Sequence, residues 1–186
     1  MRCIICALLI LVFPLCGCSF ISQSHRDSKE AVSVPHYVES GKILDPRRLK
    51  EGGKVAVIAF KAGEDVEAND DLDKISLMIV RGVSEVLASG GGNLKAVFED
   101  DAKTADFILE GHVTKMRGPS TFKRFVLRKL ALQLAVEGKL IDRKNNRMVA
   151  VFTDAKKFSD KKQDFNQLGA TIGQDIGRFL VNEIEK

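Results

Sequence analysis

Beyond position 18 the 186-residue sequence contains no cysteine: all four lie at positions 3, 6, 16 and 18. A structural disulfide in the remainder is therefore excluded, even in a compartment that permits one. Proline is scarce as well. Only Pro119 follows Pro46, and that change in composition marks the start of a domain near residue 52. No apolar run approaches the roughly 20 residues of a membrane-spanning helix; Ile4 to Phe13 supplies ten. Charge is close to balanced, with 29 Lys and Arg against 25 Asp and Glu for a net +4. So small an excess does not make a nucleic-acid-binding surface. At 45% hydrophobic and 29% charged residues, the composition excludes collagen, wholesale disorder and a multi-span membrane protein.

Signatures of catalysis are sparse too. His25 and His36 are far from His112, and no histidine–carboxylate set has the spacing of metal ligands. Gly90-Gly91-Gly92 has no Lys-Ser or Lys-Thr pair behind it, so it reads as a helix terminator and not a phosphate loop. Glu110 and His112 fall two apart on one strand face. That spacing suits general acid–base work, and equally the polar side of a sheet. The expectation is a non-enzymatic chain with no cofactor and no metal.

The N-terminus carries a clearer signal. Met1-Arg2 gives a positive start, and the ten apolar residues that follow have the length of a secretory signal peptide core. Leu15-Cys16-Gly17-Cys18 then resembles the lipobox of bacterial lipoproteins, with Leu at −3, a small residue at −1 and Cys at +1. The resemblance implies cleavage of residues 1–17 and acylation of Cys18, with palmitate-type chains as the membrane anchor. Burial of each CH₂ is worth roughly 0.8 kcal/mol, so two or more chains hold where one does not. Lipoproteins retained in the inner membrane carry Asp after that cysteine. Ser19 here implies the outer membrane, facing the periplasm.

Residues 18–52 read as a polar, flexible tether, with a reach on the order of 30 Å as a random chain. Residues 53–186 read as one α+β domain. Lys54 to Phe60 is a branched apolar strand. A helix follows, with Asn69, Asp70 or Asp71 as its cap and Leu72, Ile75, Ile79, Val83 and Val86 on one face. Strands are expected at Leu94–Phe98, Asp106–Met116, Leu130–Leu140 and Arg147–Phe152, the last two joined by an Asp142–Asn146 turn. The pattern Leu130, Leu132, Leu134, Val136, Leu140 against Gln133, Glu137, Lys139 is that of a strand with one wet face. A final helix from Asp164 to Glu183 buries Phe165, Leu168, Ile172, Ile176 and Phe179 or Leu180. The order β-α-β-β-β-β-α predicts a two-layer sandwich: a mixed, mainly antiparallel sheet of about five strands with two helices on one face.

Val55 to Phe60, Ala105-Asp106-Phe107-Ile108-Leu109-Glu110-Gly111-His112-Val113 and Leu140-Ile141-Asp142 before a hairpin resemble an envelope α/β superfamily. It includes the N-terminal domain of the Tol-Pal β-propeller protein, the periplasmic domain of the curli-secretion pore subunit, and the lipoprotein activator of a penicillin-binding protein. The resemblance covers about residues 50–186 and implies an accessory or interaction module for envelope machinery. The alternative it carries is an oligomeric subunit of a secretion or flagellar-type assembly. The connector Arg117 to Arg128 has no room for two membrane-spanning strands of roughly 9–11 residues each.

Two further constellations are candidates for contact. Lys115, Arg117, Lys123, Arg124, Arg128 and Lys129 crowd one connection, interleaved with Phe122 and Phe125. Such a loop suits anionic headgroups or an acidic partner; the other reading is a solvated hairpin tip with its phenylalanines folded into the core. Gly169, Gly173 and Gly177 form a stripe on the last helix. Each costs up to about 1 kcal/mol against Ala, which close packing on the sheet, on the first helix or on a second copy offsets.

The lipobox makes the first prediction. Intact mass of the membrane-extracted product should show a chain beginning at Cys18 with added acyl mass, and Cys18→Ala should abolish both processing and lipid. A product starting at Met1 sinks the lipoprotein reading.

Overall fold

The computed structural model describes residues 37–90, 92–97, 99–118, 132–158 and 164–182. In chain order its elements are β1 (Ser40–Ile43), α1 (Pro46–Glu51), β2 (Gly53–Val57), β3 (Lys61–Ala62), α2 (Asp70–Ser89) and β4 (Leu94–Val97). A 3₁₀ turn over Glu99–Thr104 leads into β5 (Phe107–Arg117), β6 (Leu132–Asp142), β7 (Arg147–Phe158) and α3 (Phe165–Asn182). The strands form one sheet in the order β1-β7-β6-β5-β2-β4, with β3 continuing the line of β2 beside β5. β4, β2, β3 and β5 pair in parallel, while β5, β6, β7 and β1 pair antiparallel. The α+β class and the helix-covered sheet are as expected. Seven strands replace about five.

The long helices form where cap and periodicity agree. The Asn69 side chain accepts from the N–H groups of Asp71 and Leu72 at 3.1 and 3.0 Å, closing the α2 N-terminus. Asp70, Asp71 and Asp73 lie in its first turn, where the helix dipole favours negative charge. Leu72, Ile75, Ile79, Val83 and Leu87 are buried, and Gly90 closes the helix by donating to the Val86 carbonyl. Asp164 caps α3 by accepting from the Gln167 N–H at 2.9 Å. Leu168, Ile172, Ile176 and Leu180 are fully buried beneath it.

Glycine sets the distance between these helices. A Cβ on Gly173 would collide with the Ile79 carbonyl, and one on Gly82 with the carbonyl of Ala170. At Gly177 it would stand 2.7 Å from Val86 Cβ, and at Gly169 2.9 Å from the Ile75 carbonyl oxygen. The predicted stripe therefore lies against α2 of the same chain, backbone on backbone.

The tether assigned to residues 18–52 is shorter than expected, because the compact unit begins at Pro35. β1 pairs with β7 from Ser40↔Thr153 to Ile43↔Ala150. Pro46 opens α1 behind the Asp45 cap, and Leu49 is fully buried. Arg48 anchors the segment: its Nε donates to Asp142 Oδ2 at 2.9 Å, and its guanidinium lies 4.2 Å over the Phe107 ring. Three of the four β1 residues are exposed, so no alternation betrays the strand. β7 likewise runs to Phe158, past the expected Phe152, because Asp154 and Lys156 occupy its inward positions.

Gly173→Ala should destabilise the fold by about 1–3 kcal/mol in urea unfolding, the cost of overpacking exceeding the helix propensity it gains. Gly92→Ala is the control. There a Cβ meets only Val181 side-chain carbons, the nearer at 3.6 Å, and the change should stay within about 0.5 kcal/mol.

Candidate functional site

Helices cover one face of the sheet, and strand alternation decides what the other presents. Glu110 and His112 of β5, Glu137 and Lys139 of β6, Thr153 of β7 and Ser40 and Lys42 of β1 line a shallow trough of about 430 Å³. They fall into two rows across the strands, Glu110–Lys139–Val151–Lys42 and His112–Glu137–Thr153–Ser40. The row between them is Gly111–Gly138–Phe152–Gly41. Its glycines leave space on the inner side for the rings of Phe60, Phe152 and Phe179, and the last two meet edge to face at 6.4 Å.

Chemically the trough is a set of paired charges. Lys139 Nζ stands 3.2 Å from Glu110 Oε1, both 43% exposed, a pair worth at most about 1 kcal/mol. Its lysine partner holds Glu110 away from His112, and His112 faces Glu137 in the register. Among the described residues no three His, Cys, Asp or Glu side chains gather as metal ligands do. The arrangement is a polar recognition surface.

A second, larger concavity runs along the outer flank of α2. About 1410 Å³ in volume, it is walled by Ile58, Phe60 and Ala62 from the β2–β3 segment, Leu72, Leu77 and Val80 from α2, and Ala96 and Val97 from β4. Ser76 crosses its floor, where its hydroxyl donates to the Phe60 carbonyl at 2.5 Å. Leu77 stands at the lip, 60% exposed. Arg81 and Glu85 form the charged rim; the Arg81 hydrogen bond at 2.8 Å holds the Glu85 carboxyl below its ordinary value. Leu77 was visible in the sequence as an apolar residue out of phase with the Leu72–Ile75–Ile79–Val83 stripe. The groove itself needs the placement of α2 against β4, which no local pattern reports.

A buried ionic cluster sits where the chain joins the sheet. Asp154, 1% exposed, accepts at Oδ1 from the N–H groups of Glu39 and Ala155 at 3.2 and 3.0 Å. Lys156 Nζ bridges it to Asp175, at 3.4 and 2.7 Å, and Arg178 completes the chain at 3.1 Å from Asp175. Asp154 Oδ2 has no partner among the described residues. Burial pushes the Asp154 carboxyl above its ordinary value, with Lys156 opposing. For Lys156, burial works downward, yet the Asp175 hydrogen bond and the Asp154 charge outweigh it and hold the ammonium above its usual value.

The sign for Asp154 follows from that upward shift. A carboxyl that binds its proton more tightly folded than unfolded stabilises the fold once protonated, and the contribution fades as pH rises through the folded value. At neutral pH the buried carboxylate is a cost. Asp154→Asn retains an acceptor for the Glu39 N–H and removes the charge. Relative to wild type the variant should therefore be most favoured at pH 7.5 and lose that advantage by pH 4.5, as read by urea unfolding. A difference that does not change with pH would contradict the assignment.

Of the other candidates, Cys18, Phe122, Lys123, Arg124, Phe125 and Arg128 lie outside the described residues. Lys115 and Arg117 sit at the last turns of β5, opposite Ala135 and Gln133. Gly169, Gly173 and Gly177 face α2, away from both concavities.

No protein-family model matches the chain, and no curated protein sequence matches it. Among solved structures, the PelC dodecamer of Paraburkholderia phytofirmans is similar at 18% identity, over 74% of this chain and 90% of that one, with a TM-score of 0.51. A point-substituted form of that dodecamer in another space group gives 18% identity over 76% and 94%, at 0.50. A lipoprotein of Neisseria meningitidis is more distant, at 10% identity over 68% and 96%, with a TM-score of 0.44. At such identities the shared property is the fold: this chain has the α+β architecture of the PelC subunit.

Proposed function

We propose that the chain is a lipid-anchored envelope lipoprotein of the outer membrane, facing the periplasm, whose α+β body acts as a non-enzymatic interaction module. The observation that carries this reading is the pairing of an N-terminal Leu15-Cys16-Gly17-Cys18 with a body that offers two recognition surfaces and no converging catalytic set. Acyl chains on Cys18 hold the body at a membrane, and the trough and the α2 groove face outward from it.

Strand direction supports the geometry. β5 ends at Arg117, β6 begins at Leu132 and β7 ends at Phe158, all at one end of the sheet, and the chain comes into β1 from that same side. Lys115, Arg117 and Lys157 are on those strand ends. The connector with Phe122, Lys123, Arg124, Phe125 and Arg128 leaves from there, so its cations and the anchor would meet one surface, where each Lys or Arg adds about 1 kcal/mol on anionic lipid.

A second reading has its own support. The fold is shared with a subunit that forms a dodecamer, so the chain is also proposed as an oligomeric subunit of an envelope assembly.

A photo-crosslinkable residue at Glu137 in the trough or at Leu77 in the groove tests both readings in intact cells. The expected outcome is a discrete membrane-fraction adduct from at least one position. Its mass distinguishes an envelope partner from a second copy. Adduct-free chain from both positions overturns the interaction-module proposal.

A further inference from the structure

The described residues leave three large apolar side chains exposed: Leu44 at 42%, Leu77 at 60% and Met148 at 52%. They are not scattered. Leu77 belongs to the groove beside β4, one edge of the sheet. Leu44 and Met148 belong to the opposite edge, where β1 pairs with β7. They are neighbours there, since the Leu44 N–H donates to the carbonyl of Val149 at 2.7 Å. One edge is therefore concave and apolar, and the other carries a projecting apolar pair.

We propose that the Leu44–Met148 pair of one copy docks into the α2–β4 groove of the next, giving a head-to-tail contact between copies of this chain. The proposal rests on the oligomeric-subunit reading and names the surface that reading needs. A groove-to-groove dimer would bury Leu77 against itself and leave Leu44 and Met148 in water. The head-to-tail contact buries all three at every interface. Contact of this kind repeats, closing into a ring or running on as a filament. The anchor selects between them. The chain enters the body at one strand end, so acylated copies all turn that end toward the same membrane, and both sheet edges face sideways. Neighbours then relate by rotation about the membrane normal, which is the symmetry of a ring. Direct extension of the sheet is not the contact proposed: β1 and β4 are four residues each and carry Lys42 and Lys95, the short, charged edges that resist strand addition.

The test uses the full acylated chain in its own membrane, where Cys18 is the sole cysteine of the processed product and its sulfur is blocked by lipid. Leu77→Cys and Met148→Cys are introduced together and treated with a bis-maleimide. The expected result is a ladder of linked multimers from the double variant and monomer from each single variant. A dimer from Leu77→Cys alone means that the groove faces itself and overturns the proposal. No linkage in the double variant, with wild-type chain still oligomeric on non-denaturing gels, also overturns it and leaves the subunit reading standing. No linkage with a monomeric wild type sinks both. A complementary pair adds a second readout. Leu77→Glu and Met148→Glu should each be monomeric alone, and together should give a one-to-one dimer and nothing larger, since one groove and one knob remain intact between them. Monomers on mixing contradict the head-to-tail contact.

Discussion

Gly82, Gly169, Gly173 and Gly177 bring the α2 and α3 backbones into direct contact, with no side chain to spare at the crossing. That approach governs the helix layer and, through it, the surface. Six strands at about 4.8 Å spacing span roughly 24 Å. Two helices of about 10 Å diameter drawn together at glycines cover less than that width. α3 lies over β6 and β7 and α2 over the β2–β4 side, so the outer flank of α2 stays bare where bulkier helix packing would push it toward the edge. The groove follows from the close crossing, and so does the exposure of Leu77 beside it. Glycine acts a second time beneath the trough, where Gly41, Gly111 and Gly138 make way for three phenylalanine rings. The sheet face above thereby holds its charges around a floor without side chains.

Where the chain joins this body, two ionic anchors work under different conditions. Arg48 reaches Asp142 and Phe107 at once, pairing a charge-assisted hydrogen bond with a cation–π contact near a fully buried Leu49. Asp142 also accepts from the Lys144 N–H, so its charge is well partnered. Asp154 is not. It holds the Glu39 N–H with one oxygen and leaves the other bare, a buried group whose cost is relieved by a proton. Lys156 and Arg178 lie toward solvent and balance Asp175 and Asp154 between them.

How much of this could be read in advance depends on range. β6 was legible because Leu132, Leu134, Val136 and Leu140 alternate with polar residues and every inward one is buried. α2 and α3 were legible from a cap and a 3.6-residue stripe each. β1 and α1 were not: a strand of four with three exposed residues, and a helix of six, carry too few positions for any period. The far half of β7 was hidden by Asp154 and Lys156, polar residues pointing inward, whose burial depends on Asp175 one element away. Strand order was beyond pattern as well, since β2 separates β4 from β5 only once the parallel crossover is made. Glu110 and His112 were correctly placed on one face, but Lys139 and Glu137 across the register decide what that face does.

The apolar contact proposed between copies involves few side chains, and this bears on where it operates. Burying three exposed aliphatic residues yields several kcal/mol at about 25 cal/mol per Å². Free association in solution costs about 4–15 kcal/mol in lost translation and rotation, so the gain alone leaves such a contact weak. Anchoring changes the balance before any contact forms. Copies held at one surface have already lost one direction of translation and most of their tilt, and their local concentration is raised as if joined by a linker. A knob and a groove on opposite lateral edges then meet by rotation and sliding in a plane. The same acyl chains that place the body would thus make a marginal interface sufficient, and a body released from the membrane would lose its neighbours without losing its fold.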